Sequence, residues 1–244
     1  MRAIWLILCL LSAPARGQTQ IPVPITAPSN APKEDKGNVW SFGLTGMRHS
    51  LKAGDGNELL GNSGAIQLGT GYISASWYSD VSLDILLGPY EPTREKQLNV
   101  DYVGTGLTAF AGFSAQTKNL RSAEGGYGFA LGLSYADSVG RSVGRNRKEG
   151  RSSDLIDNYS MRVTAFSLIP AIFFSWLREA RPNGNTPELL ETRVEGYFLT
   201  IGMAMPLLSS YSAKYDKRDG EPVTEKGQLR GYSLVITLKA MLGT

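Results

Sequence analysis

The segment 126–136, GYGFALGLSYA, constrains the fold more than any other part of the chain. Tyr127, Phe129, Leu131, Leu133 and Tyr135 alternate with Gly126, Gly128, Ala130, Gly132 and Ser134. A helix would scatter both sets around its circumference, and only a β-strand puts each set on one face.

The pattern recurs. In RVEGYFLTIGMAMP, Tyr197, Leu199, Ile201, Met203 and Met205 share a face opposite Gly196, Phe198, Thr200, Gly202 and Ala204. In GYSLVITLKAML, Tyr232, Leu234, Ile236, Leu238 and Ala240 oppose Ser233, Val235, Thr237, Lys239 and Met241. Further strands are expected over 39–47, 65–77, 81–90, 98–113 and 159–176. Residues 98–113 read as changing phase or carrying a bulge. FSLIPAIFFSW (166–176) is apolar on both faces and interrupted by Pro170, so a buried helix is the alternative there. The count is eight strands, with ten as the alternative. Turns are expected at Tyr78-Ser79-Asp80, at 115–125 and at 177–190, and longer connections at 48–64, 89–97, 137–158 and 208–230.

No amphipathic helix of three turns separates these segments, which excludes an α/β sheet. Long antiparallel strands favour closure, because open edges invite pairing with other chains. A closed barrel has two solutions, with the bulky apolar face turned inward around a ligand or outward into lipid. The second face decides between them. It offers Gly, Ala, Ser and Thr with Asp84, Arg162 and Lys239 interspersed, too little charge for a solvated coat and suited to a narrow interior. Aromatic residues near strand ends, among them Trp40, Trp77, Tyr90, Tyr135 and Trp176, suit the two interfacial girdles of a membrane barrel. The fold class expected is all-β, an antiparallel up-and-down transmembrane β-barrel over 38–244.

The first 17 residues read as an export signal: Met1-Arg2, the apolar run Ile4 to Leu11, then small residues with cleavage after Ala15 or Gly17. Eight apolar residues are too few to span a bilayer as a helix. Cys9 lies inside that run behind Leu8, out of place for lipidation. Removing 1–17 leaves 23 basic against 22 acidic side chains, net +1, and no cysteine. A bulk electrostatic case for nucleic-acid binding goes with it, and so does any disulfide scaffold or cysteine metal site. No cofactor is implied. Residues 18–37 carry Pro22, Pro24, Pro28 and Pro32 and read as an extended arm, placed in the periplasm and able to tether an envelope component.

On these residues the chain resembles the small outer-membrane β-barrel superfamily of bacteria, OmpA-like and related eight-stranded proteins, over roughly 38–244. The resemblance rests on the signal, on alternating segments such as GYGFALGLSYA and GYSLVITLKAML, and on the loop pattern. It implies residence in the bacterial outer membrane with a periplasmic amino terminus. The chain departs from it by closing on Met241-Leu242-Gly243-Thr244 where members commonly end in an aromatic residue, which points to a divergent lineage or a specialised insertion route.

Three sets of residues are candidates for function. Arg141, Arg145, Arg147, Lys148 and Arg151 form a basic run suited to lipopolysaccharide phosphates or an acidic partner, or to keeping a loop solvated. Asp84, Asp101, Arg162, Glu195 and Lys239 are expected to form an interior polar network. His49 is the single histidine; Ser50 beside it would point to the opposite face, and Ser138 or Ser142 are distant partners for a lipid-cleaving site. The letters GxSxG occur at Gly140-Arg141-Ser142-Val143-Gly144 but not as a strand-to-helix elbow, and with no Walker A or HExxH pattern the chain reads as a non-enzyme. The function expected is a structural or interaction barrel whose outward loops contact glycolipid or a partner envelope protein through 137–158, 177–190 or 18–37. The alternatives are a narrow transport barrel for small solutes or apolar ligands, and a lipid-modifying enzyme using His49.

Overall fold

A computed structural model describes residues 37–53, 58–92, 100–116, 120, 125–142, 157–180, 193–216 and 221–243. The expected signal at 1–17 and nearly all of the arm at 18–37 lie outside the described residues. Nine strands follow one another: β1 Asn38–Ala53, β2 Glu58–Ile73, β3 Trp77–Pro92, β4 Val100–Ser114, β5 Gly126–Ser142, β6 Asp157–Ala180, β7 Arg193–Asp216, β8 Pro222–Gly227 and β9 Leu229–Gly243. Each pairs antiparallel with its sequence neighbour from β1 to β7, and β9 pairs with both β7 and β1. That closes an eight-stranded barrel, the architecture the resemblance implies. The ninth strand, β8, extends β9 upward and pairs only with the upper part of β7, from Tyr211 to Asp216.

Closure follows from register. Pairing traced from Met47 through Val235, Gly202, Ala171, Ala130, Gly112, Tyr78 and Ile73 returns to Gly37, ten residues along β1 from the start. Ten residues of stagger over eight strands requires a strand tilt of about 40° and a radius of roughly 8 Å, a barrel narrow enough for side chains to fill.

The two faces sort as the alternation requires. Leu242, Leu238, Ile236, Leu234 and Tyr232 face outward along β9, and Trp77, Leu83, Ile85 and Leu87 do so along β3. Ten residue steps at this tilt cover about 25 Å, the height of the apolar band of a membrane barrel. Phe113, Phe129 and Leu83 are each about two-thirds exposed, an untenable surface in water and an ordinary one in hydrocarbon. Among the described residues no helix is long and apolar enough to cross a membrane. The chain crosses with strands.

Several local expectations are corrected. The second turn lies at 74–76, where Ser74 N donates to Trp77 O, and not at Tyr78-Ser79-Asp80. Tyr78 and Asp80 are buried inside the barrel, so the polar look of that tripeptide comes from an interior position. β4 keeps one phase from Val100 to Ser114, with no bulge in either of its ladders. It looked out of phase because Val100 and Tyr102 point into an apolar part of the interior while Val103 and Leu107 point out. Residues 166–176 are strand, as expected of 159–176, and apolar on both faces for the same reason, with Ile169 and Phe173 inside and Ile172 and Trp176 outside. Pro170 falls where the β6–β7 ladder skips a step, between the Leu168–Met205 and Ala171–Gly202 pairs, so its missing N–H breaks no pairing there.

Candidate functional site

Three layers fill the barrel. At the end holding the 74–76 and 115–125 connections, an apolar cluster includes Tyr78, Phe110, Phe173, Phe198, Leu177 and Met241. Tyr78 stands edge-on to Phe173 at 4.9 Å and tilted against Phe198 at 4.7 Å. These rings fit because glycines face them from adjoining strands. A Cβ on Gly132 would stand 2.5 Å from the Phe110 ring, and one on Gly128 2.7 Å from Phe173. At the opposite end a second apolar cluster holds Leu51, Leu86, Tyr102, Met161, Tyr211 and Leu229.

Between the plugs lies a polar band. Lys239 is ion-paired with Asp80, their side chains 5% and 1% exposed. Ser41 Oγ donates to Asp80 at 2.7 Å, and Lys239 Nζ donates to Ser82 Oγ at 3.2 Å. Beside them Asp84 accepts from Gln67 Nε2 at 2.9 Å and from Thr108 Oγ1 at 2.5 Å. Thr45 and Thr237 hydroxyls meet at 2.8 Å. Higher up, the buried His49 ring has Nδ1 2.8 Å from Ser233 Oγ and Nε2 2.7 Å from Ser63 Oγ, tying β1 to both its neighbours. Neither serine is Ser50, Ser138 or Ser142. Ser138 instead donates to Val163 O at 3.4 Å, and the side chain of Ser142 lies outside the described residues. A ring held on both nitrogens inside a packed barrel serves as a cross-strand tie.

Of the five residues expected to share an interior network, Asp84 and Lys239 face inward. Asp101, Arg162 and Glu195 do not. Arg162 faces out and forms a forked pair with Asp137, Nε to Oδ1 at 3.0 Å and Nη2 to Oδ2 at 2.6 Å. Glu195 pairs outside with Arg178 at 3.4 Å, and Asp101 is exposed opposite Arg141 across the β4–β5 ladder. The reason is common to all three. Toward both ends the interior is apolar, so Met161, Val163, Val194 and Tyr102 take the inward positions and the adjoining charges turn outward. Asp80 was missed because it was read as part of a turn. Its signal was parity, since it shares a phase with Ser82 and Asp84.

Outside, the two ends differ. Trp40, Trp77, Trp176, Tyr127 and Tyr197 are exposed around the end with the short turn. The other end is ringed with cations: Arg48 and Lys52 on β1, Arg230 on β9 and Lys214 on β7 are all exposed. Lys226 on β8, Arg162 on β6 and Arg141 on β5 continue the ring, with Asp101 on β4, Asp137 on β5 and Glu221 before β8 interspersed. Arg145, Arg147, Lys148 and Arg151 lie outside the described residues. An open groove of about 510 Å³ crosses β6, β7 and β9 at the aromatic end, between Trp176, Arg178, Tyr197 and Leu242.

No protein-family model matches the chain, and no curated protein matches its sequence. Among solved structures, a major outer membrane protein from Thermus thermophilus is 6% identical with a TM-score of 0.43, covering 84% of this chain and 98% of that one. The β domain of the Bordetella autotransporter BrkA is 11% identical with a TM-score of 0.28, over 84% of this chain and 99% of that one. An outer membrane channel from Pseudomonas putida is 10% identical with a TM-score of 0.27, over 89% of this chain and 100% of that one. At these scores the likenesses carry no argument, and the assignment to a membrane barrel rests on closure and on the two faces.

Proposed function

We propose that this chain is a sealed structural and interaction barrel of the bacterial outer membrane, which acts through its exterior and its outward connections on glycolipid or a partner envelope protein. The cationic end faces the cell exterior, and the arm at 18–37 lies in the periplasm. The observation that carries this reading is the stacking of two apolar plugs around a hydrogen-bonded polar band, which leaves no continuous polar path along the axis among the described residues. An eight-stranded barrel with a filled lumen has its binding surface on the outside.

The transport alternative has one local support. The β7–β9 ladder stops at Ala204–Ser233 and pairing resumes with β8 at Tyr211–Gly227. Ser209 spans the interval, accepting from Leu229 N at 2.8 Å and donating to Leu229 O at 3.1 Å. A wall held there by one hydroxyl is the weakest place for an apolar ligand to pass sideways.

Photo-crosslinkers placed in living cells at Thr224, on the cationic end, and at Ser76, in the short turn, test the interaction reading. Adducts with lipopolysaccharide or one envelope protein at Thr224 and none of these at Ser76 support it. The reverse distribution, or no adduct at Thr224, overturns it.

A further inference from the structure

The groove of about 510 Å³ at the aromatic end is built from two cross-strand rows on the outward face. The upper row is Trp176, Tyr197, Ala240 and Phe42, each directly opposite the next across β6, β7, β9 and β1. The lower row, two residues nearer the barrel end on every strand, is Arg178, Glu195, Leu242 and Trp40. Two residues along a strand cover about 6.6 Å. A charged pair therefore sits one pleat below a row of rings.

The upper row is not level. Tyr197 and Phe42 stand out from the wall, and between them Ala240 offers only a methyl group. Leu238 above and Leu242 below are also exposed, so the apolar coat dips at Ala240 into a notch. Trp176 stacks on Phe174 at 6.5 Å and 23°, which holds its ring along β6 as the far wall of the groove. From the barrel end inward the order is charge, ring, notch. A phospholipid presents headgroup, glycerol and acyl chain in the same order.

The pair at the mouth of the groove is loose. Arg178 Nη2 and Glu195 Oε2 meet through one contact at 3.4 Å, with side chains 75% and 36% exposed. Arg162 and Asp137, by contrast, are forked at 2.6 and 3.0 Å. Among the described residues neither the Arg178 nor the Glu195 side chain makes a second polar contact. The pair is neutral as a whole and needs no counter-ion. What it presents is one sign on β6 and the other on β7, their stems about 5 Å apart. That arrangement complements a headgroup in which a short bridge joins a phosphate to a primary ammonium. The guanidinium fork suits phosphate oxygens, and the ammonium donates charge-assisted hydrogen bonds to the carboxylate. A headgroup with negative charge alone meets repulsion from Glu195, and a trimethylated ammonium has no hydrogen to donate.

We infer that this groove binds a phospholipid with an ethanolamine headgroup, its phosphate at Arg178, its ammonium at Glu195 and one acyl chain over Ala240 between Tyr197 and Phe42. This goes beyond the interaction reading and takes from it only the placement of the aromatic end in the periplasmic leaflet.

The test is native mass spectrometry of the barrel refolded in detergent and titrated with phosphatidylethanolamine, phosphatidylglycerol or phosphatidylcholine of matched acyl chains. The wild type is expected to retain a single phosphatidylethanolamine in preference to the other two. Arg178→Gln is expected to lose about tenfold in apparent affinity for it. Glu195→Gln keeps the partner of the phosphate and loses that of the ammonium, so it is expected to hold phosphatidylglycerol as well as phosphatidylethanolamine. Ala240→Leu, which keeps both charges and fills the notch, is expected to weaken phosphatidylethanolamine in the same direction as Arg178→Gln. Gly46→Ala, further up β1 where a Cβ meets nothing within 4 Å, serves as the unaffected control. Each variant is first checked for heat-modifiable gel mobility. Equal retention of the three lipids, a wild-type preference for phosphatidylglycerol, unchanged binding in Arg178→Gln or Ala240→Leu, or unchanged selectivity in Glu195→Gln overturns the site. So does a lipid-free dimer that Ala240→Leu dissociates, which would make the groove an interface between copies. The detergent assay is independent of orientation in the membrane, so the crosslinks at Thr224 stand or fall separately.

Discussion

Replacing Lys239 by methionine isolates the cost of leaving a carboxylate alone inside the barrel. The side chains of Lys239 and Asp80 are almost fully buried, and apart from the lysine Asp80 accepts one hydrogen bond from a neutral group, Ser41 Oγ at 2.7 Å. Removing the ammonium strands the charge between two apolar plugs. Breaking a buried pair from one side costs about 3–5 kcal/mol, because the remaining ion keeps its desolvation penalty and loses its counter-charge. Methionine preserves most of the volume against Phe110, whose ring centre lies 6.0 Å from Lys239 Nζ, so little of this loss is packing. The assay is equilibrium unfolding in urea from lipid vesicles, followed by tryptophan emission and gel mobility. With a denaturant slope of about 2 kcal/mol/M, the midpoint falls by roughly 1.5–2.5 M. The companion Asp80→Leu/Lys239→Met removes both charges and is expected to recover most of the loss, since apolar replacement of a buried pair is often neutral. A single variant within about 1 kcal/mol of wild type refutes the reasoning. So does a double variant as unstable as the single-site losses combined.

Other consequences follow from the same packing. Gly132→Val drives a side chain into the Phe110 ring and is expected to cost about 1–3 kcal/mol by urea titration, whereas Gly46→Ala, on open exterior, stays within about 0.5 kcal/mol. His49→Ala removes the acceptor and donor facing Ser63 and Ser233 and is expected to destabilise by about 1–3 kcal/mol. Release of fatty acid from lipid A by the wild type, abolished in His49→Ala, would instead make the ring catalytic. The protein extracted from membranes is expected to run at different positions on a gel boiled and unboiled; a single position would contradict a closed barrel.

The barrel was legible because alternation carries its own geometry. Parity alone separates Tyr127 to Tyr135 from Gly126 to Ser134 on β5, and the small residues of the second set name it as the inward face. The sequence was less legible where the interior stops being small and polar. Val100, Tyr102, Ile169 and Phe173 point inward as apolar residues, so their strands lose the contrast between faces; one strand reads as bulged, and the other leaves a buried helix open as the alternative. The same plugs explain the misplaced charges. Arg162, Asp101 and Glu195 face outward because they lie at the levels where the interior is apolar. The polar band was half visible. Lys239 and Asp84 announce themselves within apolar strands, but Asp80 lies beside a tyrosine and a serine and passes for a turn. The cross-strand ties from His49 to Ser63 and Ser233 depend on register between three strands, which no single segment contains.

The central claim is that the lumen is sealed, and conductance across a planar bilayer tests it most directly. Protein reconstituted at densities where heat-modifiable mobility shows folded insertion is expected to give no stepwise current across the voltage range the bilayer withstands. Reproducible unitary steps from that folded population, scaling with protein and absent from boiled samples, would contradict the account and make the barrel a channel.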